Sequence, residues 1–199
     1  MKLSRDQTQV NLYTGPMFSG KTDEMLRQIR IYDHIKSALV ILLKPGIDNR
    51  TGESRVLSRS GAERDADARV STGEEAWEIV NKMIADRFHG KDIIAIGIDE
   101  GQFINGLDFF VKKVLEVNHE TYKIHLHIAA LTSKFTHEMW EEVVKIIPYC
   151  HSVIKYSAIC GICEKRDAQL TKRLVESDDL ILIGSDEYAA SCYECSLNK

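Results

Sequence analysis

No stretch of this 199-residue chain approaches the roughly 18 consecutive apolar residues of a membrane helix, and its first ten residues, MKLSRDQTQV, lack the apolar core of a signal peptide. A soluble, cytoplasmic chain that uses no membrane is the expectation. A basic surplus is missing too: Lys and Arg number 26 against 30 Asp and Glu, for a net charge of -4. Without that surplus nothing drives sequence-independent attraction to a polyanion, which disfavours nucleic acid as an obligate partner. Internal repeats, low-complexity tracts and blocks of like charge are absent, and only three prolines punctuate the chain, so its organisation must be read from hydrophobic periodicity. With 44% hydrophobic residues the chain can bury one globular core with a small appendage, but it is too short for two large domains.

The periodic segments alternate between two kinds. Val10, Leu12 and Thr14 alternate into Gly15, and a helical stretch follows from Lys21 to about Ile35. Ala38 to Leu43 and Ile93 to Ile98 are continuously apolar, as strands buried on both faces are, and Lys123 to Leu131 forms another strand. Between them, Ser71 with Glu74 fits a capping box before a helix carrying Ala76, Trp77, Val80, Met83 and Ile84, and Leu107 to about Val117 is a further helix. Asp48 to Val70 is polar and weakly periodic, and reads as a long loop of the kind that carries function. The pattern implies an α/β fold, a mainly parallel sheet covered by helices. A helix from about His137 to Ile147 precedes Pro148, after which only short β-like runs remain (Ser152 to Ile159, Leu180 to Gly184). The expected division is a nucleotide-binding α/β domain over 1–147 and a small metal-stapled β subdomain over 148–199.

Gly15-Pro16-Met17-Phe18-Ser19-Gly20-Lys21-Thr22 matches G-x-x-x-x-G-K-[ST] in full, between a strand and a helix. Such a P-loop wraps backbone N–H groups around phosphate oxygens, with the helix N-terminus adding positive potential. Lys21 places a charge between the β- and γ-phosphates, and the Thr22 hydroxyl is a Mg²⁺ ligand. Ile93 to Ile98 ends in Asp99-Glu100, so Asp99 is placed to hold Mg²⁺ and Glu100, one residue on, is free to act as base. These elements leave GTPase, motor ATPase, nucleotide kinase and nucleoside kinase open. Asn81-Lys82-Met83-Ile84 breaks the N-K-x-D element of guanine recognition, and no arginine cluster of a monophosphate kinase is visible.

Five cysteines is an odd number, and four form two C-x-x-C pairs, Cys160 with Cys163 and Cys192 with Cys195. That spacing suits one closed, structural tetrahedral Zn²⁺ site. Cys150 reads as a buried or idle thiol. His125 and His127 alternate on one strand face, but lack a visible third ligand and read as structural. Trp140 with Glu141-Glu142 reads as a solvated helix with one anchoring aromatic.

The motifs together resemble those of the cytosolic, zinc-containing type II thymidine kinase family. They are G-P-M-F-S-G-K-T at Gly15 to Thr22, G-I-D-E-G-Q-F at Gly97 to Phe103 and V-I-K-Y-S-A-I-C-G-I-C at Val153 to Cys163, with T-K-R-L at Thr171 to Leu174 and Y-A-A-S-C-Y-E-C at Tyr188 to Cys195. The likeness spans residues 11 to 195. It implies a P-loop sheet with a C-terminal zinc subdomain and a lasso loop, and transfer of the ATP γ-phosphate to the 5'-hydroxyl of thymidine. Glu100 matches the family's catalytic base; Asp99 to Gln102 and Asp48, Asn49 and Arg50 match positions around the nucleotide and metal. Met17, Phe103, Leu131, Phe135, Thr171, Leu180, Ile181, Leu182, Ile183, Gly184 and Tyr188 match the thymine site. A homotetramer and feedback inhibition by thymidine triphosphate are further implications of the resemblance. The departures fall in the acceptor half: Thr132 where the family has aspartate, Met139 where it has proline before the aromatic Trp140, one extra residue between Cys163 and Thr171, and a missing glycine after Gly184. Two readings stand beside this one: a deoxynucleoside kinase with altered base choice, and a zinc-ribbon P-loop ATPase or binding module acting on nucleic acid.

Overall fold

In the computed structural model, residues 7–47, 55–58, 61–117, 122–177, 182 and 186–197 are described. The first half runs β1 (Gln9–Gly15), α1 (Lys21–Asp33), β2 (Ala38–Pro45), β3 (Arg55–Leu57), β4 (Glu63–Asp65), β5 (Ala68–Val70) and α2 (Gly73–Arg87). It continues through β6 (Ile93–Ile98), a 3₁₀ turn at Gly101–Phe103, α3 (Leu107–Glu116), β7 (Lys123–Leu131) and α4 (Glu141–Ile146). The last part holds β8 (Ser152–Lys155), β9 (Ala158–Ile159), β10 (Asp167–Ala168), β11 (Leu170–Arg173), β12 (Tyr188–Ser191) and α5 (Tyr193–Leu197).

Six strands form one sheet in the order β5, β2, β6, β7, β1, β8, every neighbouring pair parallel. Helices cover both faces, which is why β1 and β6 are buried along their whole lengths, β6 as a continuous apolar run. On one face Leu39, Ile41, Leu43, Ile94, Ile96 and Ile98 pack with Val80 of α2, Phe110 of α3 and Val143 of α4. The other face belongs to α1, whose Met25, Leu26 and Ile29 are fully buried against Leu42 and Ala95. Burial of each such side chain contributes ~1.5–3 kcal/mol. Gly97 lets this helix lie close: a Cβ there would stand 2.8 Å from Leu42 Cδ1 and 2.9 Å from Met25 Sδ.

Several boundaries differ from the sequence expectation, each for a local reason. The polar segment expected as one long loop holds a short antiparallel hairpin, β3 with β4, and the sheet's edge strand β5. Its strands are three residues each, too short for alternation to register. The cap of α2 sits one residue later than expected. Thr72, not Ser71, accepts from Glu75 N–H at 3.1 Å, and the Glu75 carboxylate reaches back to Ser71 N–H at 2.6 Å. Helix α4 starts at Glu141 rather than near His137, because His137 adopts φ 71 and Ser133 bridges Met139 across a tight loop. Strand β8, expected in the C-terminal part, pairs with β1 and closes the main sheet.

Candidate nucleotide and acceptor site

Parallel strands bring the ends of β1, β6 and β7 to one edge, where ligands of open α/β sheets collect. Gly15 ends β1, and a Cβ on it would meet Ser19 Oγ at 2.6 Å and the Tyr156 carbonyl at 2.7 Å, so only glycine lets the loop close down here. Gly20 caps α1 in the left-handed region, φ 79, and presents the helix N-terminus to the loop. Met17, Phe18, Ser19, Gly20, Lys21 and Thr22 then line a cavity of about 340 Å³ with Asp99 and Glu100. Lys21 is buried and its ammonium donates to the Pro16 carbonyl at 3.2 Å.

The two acidic residues after β6 play different geometric parts. Asp99 Oδ1 accepts from the Thr22 hydroxyl at 2.8 Å, joining the two positions expected to share a cation. Both are hard oxygen donors, a set that suits Mg²⁺. Glu100 is 8% exposed and holds φ 48, ψ 45, a left-handed conformation costly for a residue with a Cβ. Gln102 fixes its carboxylate: the side-chain amide donates to Glu100 Oε2 at 2.6 Å, while the Gln102 carbonyl oxygen accepts from Leu131 N–H at 2.9 Å. Glu100 is thereby oriented from the end of β7.

The acceptor positions form a connected chain of contacts rather than one sequence segment. Met17 N–H donates to Thr171 Oγ1 at 3.0 Å, tying the phosphate loop to the β11–β12 hairpin. Phe135 lies under the Arg173 guanidinium, which also contacts Tyr188, and the Tyr188 oxygen accepts from Leu182 N–H at 3.2 Å. Phe103 sits at the 3₁₀ turn after β6. It packs edge-on against Trp140, centroids 5.3 Å apart, beside a second cavity of about 500 Å³ that Gln102, Asn105 and Lys134 also line. Asp48, Asn49, Arg50, Leu180, Ile181, Ile183 and Gly184 lie outside the described residues.

Cys160, Cys163, Cys192 and Cys195 bring all four sulfur atoms within 4.8 Å of one another. Cys163 Sγ and Cys192 Sγ are 4.0 Å apart, near the ~3.8 Å edge of a tetrahedron with metal–sulfur bonds of about 2.3 Å. Each C-x-x-C closes a tight turn, with Glu164 N–H donating to Cys160 O at 2.8 Å and Ser196 N–H to Cys192 O at 3.0 Å. Gly161 N–H donating to Ala190 O at 2.9 Å locks the two turns together. Ala158, Ala168 and Ala190 supply the other buried apolar side chains of this small core among the described residues, so its hydrophobic support is slight.

Cys150 keeps apart, its thiol donating to Ile146 O at 3.3 Å and pushed up to about 11 by burial. His125 and His127 are fully buried under α1, where each Nδ1 shares a hydrogen bond with a phenol: Tyr32 at 2.7 Å and Tyr13 at 2.9 Å. Burial, with the neighbouring His125, pushes His127 down to about 3, while Glu24 opposes this weakly.

Sequence reasoning missed Leu57 and Ser58, which line the phosphate cavity from the end of β3. Nothing in that weakly periodic stretch could have singled them out. Arg173 was also missed, although its two-residue spacing from Thr171 places both on one face of β11.

The thymidine kinase family model matches residues 8–196. A thymidine kinase of Pseudothermotoga lettingae is 30% identical over 189 residues, covering 94% of each chain. One from Mesomycoplasma hyopneumoniae strain 7448 is 31% identical over 190 residues, again 94% of each.

Proposed function

Because this chain belongs to the thymidine kinase family, we propose that it transfers the γ-phosphate of ATP to the 5'-hydroxyl of thymidine, giving dTMP for pyrimidine salvage. The observation that carries this reading is the direct bond between Met17 N–H and Thr171 Oγ1, which sets a phosphate loop against an aromatic-lined hairpin. A donor site and an acceptor site then share one wall.

Lys21 and the loop amides hold the phosphate oxygens, and they stabilise the charge that spreads over the transferring group. Thr22 and Asp99 would hold Mg²⁺, which supplies further charge neutralisation when bound. Glu100, oriented by Gln102, accepts the proton of the sugar hydroxyl. Thymine is held by Met17, Phe103, Leu131, Phe135, Thr171 and Tyr188, and residues 180–184 are assigned to reading its edge. Asp48, Asn49 and Arg50 are assigned to binding the phosphates. Zn²⁺ on the four cysteines is structural, since four thiolates leave no open position. The division into an ATP-binding part and a zinc-bearing part belongs to the same proposal, with β8 counted in the first because it completes the sheet. So do cytoplasmic location and a homotetramer; a monomer mass in light scattering of the purified protein would remove the latter.

The test is a kinase assay across the four deoxynucleosides. Thymidine should exceed deoxyuridine by ~10–200-fold in kcat/KM, the range one methyl group provides, and exceed deoxycytidine by more, because mismatched backbone donors and acceptors would be left unpaired. Deoxycytidine used as well as thymidine would replace this reading by a kinase of altered base choice. Glu100→Gln should lower kcat by ~10² or more with ATP binding retained.

A further inference from the structure

Thr171 and Arg173 leave the same face of β11, and only the first has so far been given a task. The Arg173 guanidinium carbon stands 3.8 Å from the Phe135 ring centroid and 5.5 Å from that of Tyr188. Its Nη2 donates to the Tyr188 oxygen at 3.1 Å and its Nη1 to the Ser177 carbonyl at 3.2 Å. The same Tyr188 oxygen accepts from Leu182 N–H at 3.2 Å. One planar cation therefore joins the loop after β7, the chain leaving β11, strand β12 and, through the phenol, the segment at Leu182. Arg173 does not line the phosphate cavity.

We propose that Arg173 is the positioning residue of the nucleoside pocket, holding the Phe135 and Tyr188 rings and the Leu182 segment in the arrangement that receives the base. The inference rests on the acceptor-site reading given above. A guanidinium is suited to the task because it stacks its face on an aromatic ring while its edge donates in two directions. Lysine can do neither with the same geometry. The Tyr188 oxygen acts as the shared node: it accepts from Arg173 on one side and from Leu182 N–H on the other. Removing the arginine frees two rings and one backbone anchor at once, while the phosphate loop, Glu100 and Gln102 keep their contacts.

The test is steady-state kinetics with thymidine and ATP varied separately, alongside zinc content, on the full chain. Arg173→Ala should raise KM for thymidine by about tenfold or more, change kcat less than about threefold and leave KM for ATP unmoved, with zinc retained. Arg173→Lys should recover little of that loss. Tyr188→Phe keeps the ring and removes the shared oxygen, so it should give part of the same rise, and the double variant should lose less than the product of the singles. An unchanged KM for thymidine in Arg173→Ala overturns the proposal. So does a lowered one, which would mean that the guanidinium blocks the base, and so does full rescue by lysine, which would reduce the role to charge. Parallel rises in both KM values with loss of zinc would leave only a folding role and also overturn it. A wild-type chain that phosphorylates no deoxynucleoside removes the function itself, whereas wild-type turnover with an unaltered Arg173→Ala removes only the role of Arg173.

Discussion

The phosphate end and the hairpin end of the site are held together by different physics. The first is local: a strand, a five-residue loop and a helix, contiguous in sequence and packed on the main sheet with fully buried side chains. The second is assembled from segments far apart in the chain, Phe135 from the loop after β7 with Thr171, Arg173 and Tyr188 from a hairpin whose subdomain has, among the described residues, an apolar core of only three alanines and two cysteines. A hydrophobic core makes the donor half self-supporting. The acceptor half depends on four sulfur atoms and a few polar bonds, so the two halves should fail separately.

The largest separation should come from Cys192→Ser. Losing one of four thiolates removes the ion and with it the folding energy of the hairpins, so zinc content and nucleoside phosphorylation should both disappear while ATP affinity stays within about threefold. Elemental analysis with equilibrium ATP binding checks this, and a zinc-free variant of normal activity would dissolve the contrast. The mirror experiment is Gly15→Ala, whose Cβ must displace Ser19 or the Tyr156 backbone. It should raise KM for ATP by roughly 10–100-fold with full zinc retained, since the loop amides lose their aim at the phosphates.

Thr171→Val should strike both halves at once, because it leaves Met17 N–H buried without its acceptor at a cost of about 1–3 kcal/mol. A lowered melting temperature together with a rise in both KM values is the expected outcome; a change confined to one substrate would show that the wall between the sites is not shared. The smallest effect on the site itself is the pH dependence of stability within the donor half. His127 is held neutral in the folded chain, pushed down to about 3, whereas an unfolded histidine titrates near ~6.5. The unfolded state therefore binds more protons between those values. The stability this provides is complete above ~6.5 and is lost as pH falls toward about 3, by up to ~1.4 kcal/mol per pH unit. His125, Glu24, Tyr13 and Tyr32 face the same ring, and a His127→Gln variant should flatten the melting profile below pH 6 relative to wild type.

How much could be read in advance follows the same divide. The sheet, α1 and the phosphate loop were legible because their signals are local and periodic: continuous apolar runs, a glycine-bounded motif, and an acid at a strand end. The four cysteines were equally legible, since two C-x-x-C spacings carry their own geometry. Strand β8 was misplaced because the partly exposed Ser152–Lys155 carries little sign of joining a sheet whose neighbouring strand begins at Gln9. The short strands β3 and β4 were read as loop, as three residues cannot display a period. Phe103 and Arg173 show the limit in the acceptor half. One packs on Trp140 and the other stacks on Phe135, and only tertiary contacts reveal those partners.

The strand order also sets a timetable. Gln9 of β1 finds its sheet partners at His125 in β7, and Asn11 finds its own at Ser152 in β8, while β2 can already zip onto β6 once Ile98 exists. At the usual synthesis speed of ~5–20 residues per second, β1 waits roughly 6 to 23 s for β7 to be made. Throughout that interval a seven-residue strand destined for full burial has no neighbour to pair with. Lys21 is thus translated early but reaches its working position late, and a nascent chain paused before β8 would present an unpaired sheet edge to any similar strand nearby.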